Sequence, residues 1–197
     1  MGDGGRSGVD DIGSGRRDTV VSFDHESLIL VDQHDNEIGF LDKAGAHRGS
    51  GRLHRAFSLF VFDEAGRLLL QKRAAGKRLW PNHWSNTCCS HPRRGEDMAT
   101  AIHRRLDEEL RLRCALSFQF KFEYHAQYDD DGAEHELCWV YAGRCNDRPD
   151  FNHSEIAEVR YVAPAALDHE IAVAPETFTP WFRLEWARLR RGLVRAG

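Results

Sequence analysis

Order in the hydrophobic pattern begins near Ser27. Leu28-Ile29-Leu30-Val31 is a short apolar run closed by Asp32, Asp35 and Asn36, and Ile38 to Leu41 reads as its hairpin partner. The run HRAFSLFVF, His54 to Phe62, is aromatic and β-branched enough for a central strand. Asp63-Glu64-Ala65-Gly66 is a turn into a further strand, Arg67 to Lys72. Residues 73–94 show no clean period and hold Trp80, Pro81, Trp84, two cysteines, two histidines and Pro92, a density of unusual side chains better explained by a site than by packing. Residues 96–111 read as a helix, because Met98, Ile102, Leu106 and Leu110 recur every fourth position behind the acidic Glu96 and Asp97. Strands follow at Ser117 to Gln127 and Glu136 to Gly143, with YDDDGAE between them as a loop, then at Glu158 to Val162. Pro164 opens a short helix with Ala165, Ala166 and Leu167. In the last helix Phe182, Trp186, Leu189 and Leu193 stack at spacings of four, three and four, and Arg183, Arg188, Arg190 and Arg191 cover the other sides.

Mixed strands with two principal helices indicate an α+β or layered α/β/α domain. The 197 residues suit one domain, expected over residues 20–197, behind a glycine-rich flexible tail at residues 1–19. No internal repeat is evident. A hydrophobic content of 41% and a charged content of 29% describe a globular chain. The net charge of −4 argues against bulk affinity for nucleic acid. No run of about 18 apolar residues offers a membrane span, and the N-terminus has no apolar stretch like that of a signal peptide. The basic last helix is expected to lie on its own domain, with no role at a membrane. Five cysteines, none in a CxxC pair, fit free thiols in a reducing compartment, so a cytoplasmic location is expected.

Candidate chemistry gathers at a few places. His47 and His54 flank Arg48-Gly49-Ser50-Gly51, and His91 follows Cys89 in the irregular segment. Glu134 and Glu136 have the i, i+2 spacing that puts two carboxylates on one face of a strand. These five suit a metal with nitrogen and oxygen ligands, although surface histidines and water-facing glutamates are common alternatives. Arg104, Arg105, Glu108 and Glu109 form i, i+4 pairs, read either as ordinary helical salt bridges or, because Glu109 borders the apolar stripe, as part of a second ion site. Arg73, Lys77 and Arg78 bind an anion or line a wet loop. Cys89 is a buried thiol or a reactive one.

Together these segments resemble a known family. The string Trp80-Pro81, Trp84-Ser85-Asn86-Thr87-Cys88-Cys89-Ser90-His91-Pro92 and Gly95-Glu96, with AHRGSGRLHRAFSLFVFD, GAEHELCWVY and the late TPW at Trp181, is similar to the type I isopentenyl-diphosphate Δ-isomerases of the Nudix superfamily over residues 27–190. The resemblance implies a Nudix-like α/β/α sandwich with a mixed β-sheet. It implies a metal site of His47, His54, His91, Glu134 and Glu136, holding Mn²⁺, Mg²⁺ or Zn²⁺. It implies catalytic roles for Cys89, Glu136 and Tyr124, and an aromatic wall at Trp181. A diphosphate would meet Lys43, Arg73, Lys77 and Arg105, with Mg²⁺ on Glu109. The implied reaction interconverts isopentenyl and dimethylallyl diphosphate through a tertiary carbocation, with Glu136 and Tyr124 managing protonation and Cys89 taking or returning the allylic proton. It needs no organic cofactor and serves a carotenoid or other isoprenoid route. A monomer is expected. The alternatives are a Nudix-type diphosphate hydrolase and an inactive diphosphate-binding relative.

The sequence departs from the Nudix box GX5EX7REUXEEXGU. Glu96, Arg104, Leu106, Glu108 and Glu109 are kept, but Ser90 and Arg111 replace its glycines and Arg105 its first REU glutamate. If the first glycine needs positive φ, Ser90 strains the loop by roughly 1 kcal/mol. Cys88 is expected to form a vicinal or mixed disulfide with Cys89 on oxidation.

Overall fold

The computed structural model describes residues 19–130 and 132–195, and side chains of the last helix as far as Gly192. Residues 1–18 of the expected tail, and the side chain of Leu193, lie outside the described residues.

Among the described residues nine strands form one mixed sheet. They are β1 (Ser27–Val31), β2 (Glu37–Asp42), β3 (His54–Phe62), β4 (Leu68–Arg73), β5 (Trp84–Ser85), β6 (Cys88–Ser90), β7 (Leu116–Asp129), β8 (Gly132–Arg144) and β9 (Ile156–Val162). The helices are α1 (Lys43–Ala46), α2 (Met98–Leu110), α3 (Pro164–Val173) and α4 (Pro180–Arg195). β3 is the hub. It pairs antiparallel with β1, β4 and β6 and parallel with β8. Its side chains are buried on both faces, as a central strand requires.

Alternation along β3 feeds two cores. Ala56 and Phe60 face a layer closed by Phe182, Trp186 and Leu189 of α4. Phe57, Leu59 and Val61 face Ile102, Leu106 and Leu110 of α2. The sheet is thus sandwiched between α2 and α4, the expected layered arrangement. α2 starts where the Asp97 carboxylate accepts the Thr100 amide at 2.8 Å. It ends at Arg111, whose φ of 56° is the left-handed turn that the box glycine would otherwise supply. The Arg111 guanidinium donates to the carbonyls of Asp107 and Glu108 and so caps the helix it terminates.

Four expectations change. YDDDGAE is not a loop: β7 runs to Asp129 and β8 resumes at Gly132, so the two strands form a long, tightly turned ribbon. The supposedly irregular segment contains β5 and β6. Ser90 is not strained, because it is a strand residue paired with Phe57 and is absent from the positive-φ positions. Backbone strain in that region falls instead on Trp80 (φ 46°) and Asn82 (φ 60°). Arg73 braces this bend, donating from Nε to the Trp80 carbonyl and from Nη2 to the Leu79 carbonyl. The helix begun at Pro164 also runs longer than its apolar start indicated, to Val173.

Candidate active site and metal centre

Strand register assembles the site. In the parallel β3–β8 pair His54 lies opposite Glu136. In the antiparallel β7–β8 pair Tyr124 lies opposite Glu136, and Ala126 opposite Glu134. β6 sets Cys89 opposite Ser58 of β3, and His91 follows at its end. His47 comes from the turn after α1. Residues distant in sequence therefore meet at the ends of three adjoining strands.

Ligand atoms of His47, His54, His91, Glu134 and Glu136 all lie within 4.8 Å of one another. The five side chains are largely buried. Nδ1 of His47 faces the Lys43 carbonyl and Nδ1 of His54 the Arg52 carbonyl, each at 2.7 Å. A carbonyl only accepts, so both Nδ1 atoms carry the proton and Nε2 is left for the cluster. There Nε2 of His47 is 2.8 Å from Glu134 Oε2, and Nε2 of His54 is 3.6 Å from Glu136 Oε1. Nε2 of His91 is 2.9 Å from the same Glu136 oxygen. His54 Nε2 and Glu134 Oε2 are buried without a hydrogen-bond partner. Lone pairs that face one another in a buried space repel unless a proton or a cation lies between them. The donor set fits a divalent metal ion.

The charges respond accordingly. Burial opposes ionisation of Glu134 and Glu136, yet His47 for the first and His54 with Tyr124 for the second hold both carboxyls below the ordinary range. Burial opposes charge on His47 too, but the Glu134 carboxylate overrides it and raises the imidazole. His91 is pushed well down, by burial first and by the neighbouring imidazoles next.

Beside the cluster lies a cavity of about 340 Å³ lined by Cys89, Tyr124, Glu134, Glu136, Arg73 and Trp181 at one part and by Lys43, Lys77 and Arg105 at another. The Tyr124 hydroxyl donates to Glu136 Oε2 at 2.6 Å. Arg73 Nη1 approaches Cys89 Sγ at 4.0 Å. Burial outweighs this cation and pushes the Cys89 thiol up to about 12. Trp181 meets Trp80 edge-on at 5.3 Å, and the Arg73 guanidinium lies 5.3 Å from its ring centre.

The adjacent cysteines part company. Alternation sends Cys88 into the α2 core, while Cys89 lines the cavity on the other face. All five cysteines are free, and the strand geometry disfavours the vicinal pairing expected on oxidation.

Glu109 stands apart from the five-residue cluster. It is buried and ion-paired to Arg105 through Oε1, while Arg104 pairs with Glu96 and Glu108. Both helical salt bridges read from the spacing are present. Two residues went unnoticed in the sequence. Glu155, from a loop with no period, lines the cation end of the cavity. Glu185 is fully buried on α4, accepts from Cys138 Sγ at 3.4 Å, and leaves its Oε2 unpartnered. An acid three residues after Phe182 and four before Leu189, inside the apolar stripe, was the signal that could have found it.

A model of the NUDIX domain matches residues 52–182. A Deinococcus radiodurans protein of known structure, 22% identical, superposes with a TM-score of 0.62 over 75% of this chain and 90% of its own. The MutT protein from Methanosarcina mazei, 15% identical, gives 0.59 over 71% and 94%. Fold and domain match make this a Nudix domain. Sequence narrows the class. The chain is 43% identical to an isopentenyl-diphosphate Delta-isomerase of Pectobacterium atrosepticum, over 82% of this chain and 90% of that one. It is 46% identical to isopentenyl-diphosphate Delta-isomerase 2 of Photorhabdus laumondii, over 80% and 89%. The chain belongs to the isopentenyl-diphosphate Delta-isomerase family.

Among the described residues no helix is long and apolar enough to cross a membrane.

Proposed function

We propose that the chain interconverts isopentenyl diphosphate and dimethylallyl diphosphate by moving one proton on and another off a branched five-carbon chain. The observation that carries this reading is the shared cavity: an acid–base pair, Cys89 and Glu136, at one part, and a cluster of cations at another.

An alkene is a weak base, so its protonation needs an aimed acid in a site that excludes water. One group must hold a proton at rest and the other must lack one. Burial keeps Cys89 as a neutral thiol, and Glu136 is held as a carboxylate. The Cys89 thiol gives its proton to the terminal carbon of isopentenyl diphosphate, and a tertiary cation forms. Glu136, with Tyr124 bonded to its other oxygen, removes a proton from the carbon nearer the diphosphate. The double bond closes between those inner carbons. The pair now has its protonation reversed and is set for the back reaction, by microscopic reversibility. This resting distribution gives the first protonation of isopentenyl diphosphate to Cys89, whereas the sequence reading assigns protonation to Glu136 with Tyr124 and the metal and leaves the order of the two groups open.

Trp181 walls the cavity and offers a π face near the cation, a contact worth about 2 kcal/mol when desolvated. Lys43, Lys77 and Arg105 hold the diphosphate, with Arg73 a further cation of the cavity beside Cys89. His47, His54, His91, Glu134 and Glu136 would hold a divalent ion. Bound there, such an ion would supply positive charge that favours the ionised form of Glu136, and imidazoles suit Mn²⁺ or Zn²⁺ as readily as Mg²⁺. Glu109 would hold Mg²⁺ with the diphosphate. A monomer in the cytoplasm, working without organic cofactor, membrane or nucleic acid, completes the proposal.

Incubation of the purified, metal-loaded chain with isopentenyl diphosphate tests it. The expected product is dimethylallyl diphosphate with no phosphate released. Phosphate release in place of isomerisation supports the hydrolase alternative, and an unchanged but bound substrate supports an inactive relative.

A further inference from the structure

Two carboxylates that line the cavity, Asp24 and Glu155, belong neither to the proton pair nor to the histidine cluster, and of these Glu155 is the buried one. Glu155 is 5% exposed. Its Oε2 accepts from Lys77 Nζ at 2.5 Å and lies 3.8 Å from Arg105 Nη2. The same guanidinium nitrogen pairs with Glu109. Two carboxylates thus share one cation at the diphosphate end.

Backbone bonds fix Glu155 from two sides. The Asn152 amide donates to the Glu109 carbonyl at 2.8 Å, and the Glu155 amide to the Asn152 carbonyl at 3.1 Å. The Ala74 amide, just past β4, donates to the Glu155 carbonyl at 2.9 Å. The carboxylate is therefore held among Lys43, Lys77 and Arg105 by the same loop contacts that fix the end of α2.

The cation cluster repels itself. Burial, then Lys77 and Arg105, pull the Lys43 ammonium down to about 8. Glu155 supplies negative charge where it is needed, and Lys77 with Arg105 keeps it ionised against burial. A diphosphate entering alone must share these cations with Glu155 and face like-charge repulsion from it. A divalent cation entering with the diphosphate reverses that relation, since Glu155 and Glu109 then attract it.

We propose that Glu155 is a selectivity residue of the diphosphate end, a built-in anion that makes tight binding of a diphosphate depend on an accompanying divalent cation. The proposal rests on the diphosphate reading above.

Calorimetric titration of the full chain with inorganic pyrophosphate, with and without Mg²⁺, tests it. Wild type binds at least about tenfold more tightly with Mg²⁺, and in Glu155→Gln metal-free binding tightens about tenfold while the gain from Mg²⁺ falls below about threefold. Glu155→Ala serves if the Gln variant does not fold, and must behave alike. An unchanged Mg²⁺ gain in the variant, or a wild type indifferent to Mg²⁺, overturns the proposal. Isomerisation of isopentenyl diphosphate is followed on the same samples. A wild type that isomerises but shows neither effect removes the role of Glu155 alone. One that neither isomerises nor binds pyrophosphate removes the functional reading with it.

Discussion

Tyr124 and Glu136 are direct cross-strand partners, and the phenol donates to the carboxylate at 2.6 Å. Burial first, then the nearby carboxylates, hold the Tyr124 hydroxyl well above its ordinary pKa, so it stays a donor at every working pH. Tyr124→Phe keeps the buried ring and deletes one hydrogen bond. Turnover is expected to fall about 10- to 100-fold with KM changed little. Steady-state kinetics check this, and an unchanged kcat contradicts a role for the phenol.

The two adjacent cysteines separate by strand alternation, and their variants should separate too. Cys89→Ala and Glu136→Gln are expected to lower turnover by about 10²-fold or more while leaving the fold intact. Cys88→Ala removes a thiol that packs in the α2 core beside Glu109, outside the proton-transfer pair, and costs about 1 kcal/mol of stability with far more turnover retained than in Cys89→Ala. Kinetics and urea midpoints on the three variants decide the assignment. Near-normal turnover in both Cys89→Ala and Glu136→Gln would refute it.

Glu185 links pH to stability. Burial pushes its carboxyl from 4.5 up to about 8. Between those values the folded chain keeps a proton that the unfolded chain has lost, so stability from this group is full below the lower value and falls as pH rises toward the upper one. Glu185→Gln removes the titration. The variant should gain on wild type across that window by up to about 1.4 kcal/mol per pH unit. Urea unfolding at pH 5 and pH 8.5 checks this, and a pH-independent difference contradicts it.

The histidine–glutamate cluster predicts stabilisation by metal. Saturating Mn²⁺ or Zn²⁺ at about 100 times Kd adds about 2.7 kcal/mol to wild type and raises Tm by several degrees. His54→Ala removes an Nε2 that faces the cluster without a hydrogen bond, and should lose most of that metal-induced rise. Equal shifts in wild type and variant contradict the site.

Legibility in the sequence followed the physics of each element. α2 and α4 were readable because each buries one apolar stripe on one face of the sheet, and the stripes carry a clear period of four and three. β3 was readable because a strand buried on both sides is continuously apolar. The β7–β8 ribbon was misread near its turn because the end of β7 is exposed on both faces and the start of β8 is buried on both, so neither strand alternates there. The i, i+2 spacing still pointed to a shared strand face for Glu134 and Glu136, although the loop reading left Glu134 outside the strand.

Within the site, the histidines and glutamates were named from their place in recognisable strings, yet nothing local tells that His54 and Glu136 are paired. Only the parallel β3–β8 register brings them together. Glu155 was missed because a loop acid has no period and its meaning comes wholly from Lys77 and Arg105 across the cavity.

Proton exchange with solvent tests the central claim most directly. Isopentenyl diphosphate is incubated with the metal-loaded chain in D₂O and followed by proton and deuterium NMR. Delivery of a solvent-derived proton predicts dimethylallyl diphosphate with deuterium in a methyl group, and loss of that product in Cys89→Ala. Dimethylallyl diphosphate formed with no deuterium at any stage, or substrate cleaved at the diphosphate with its double bond unmoved, would contradict it.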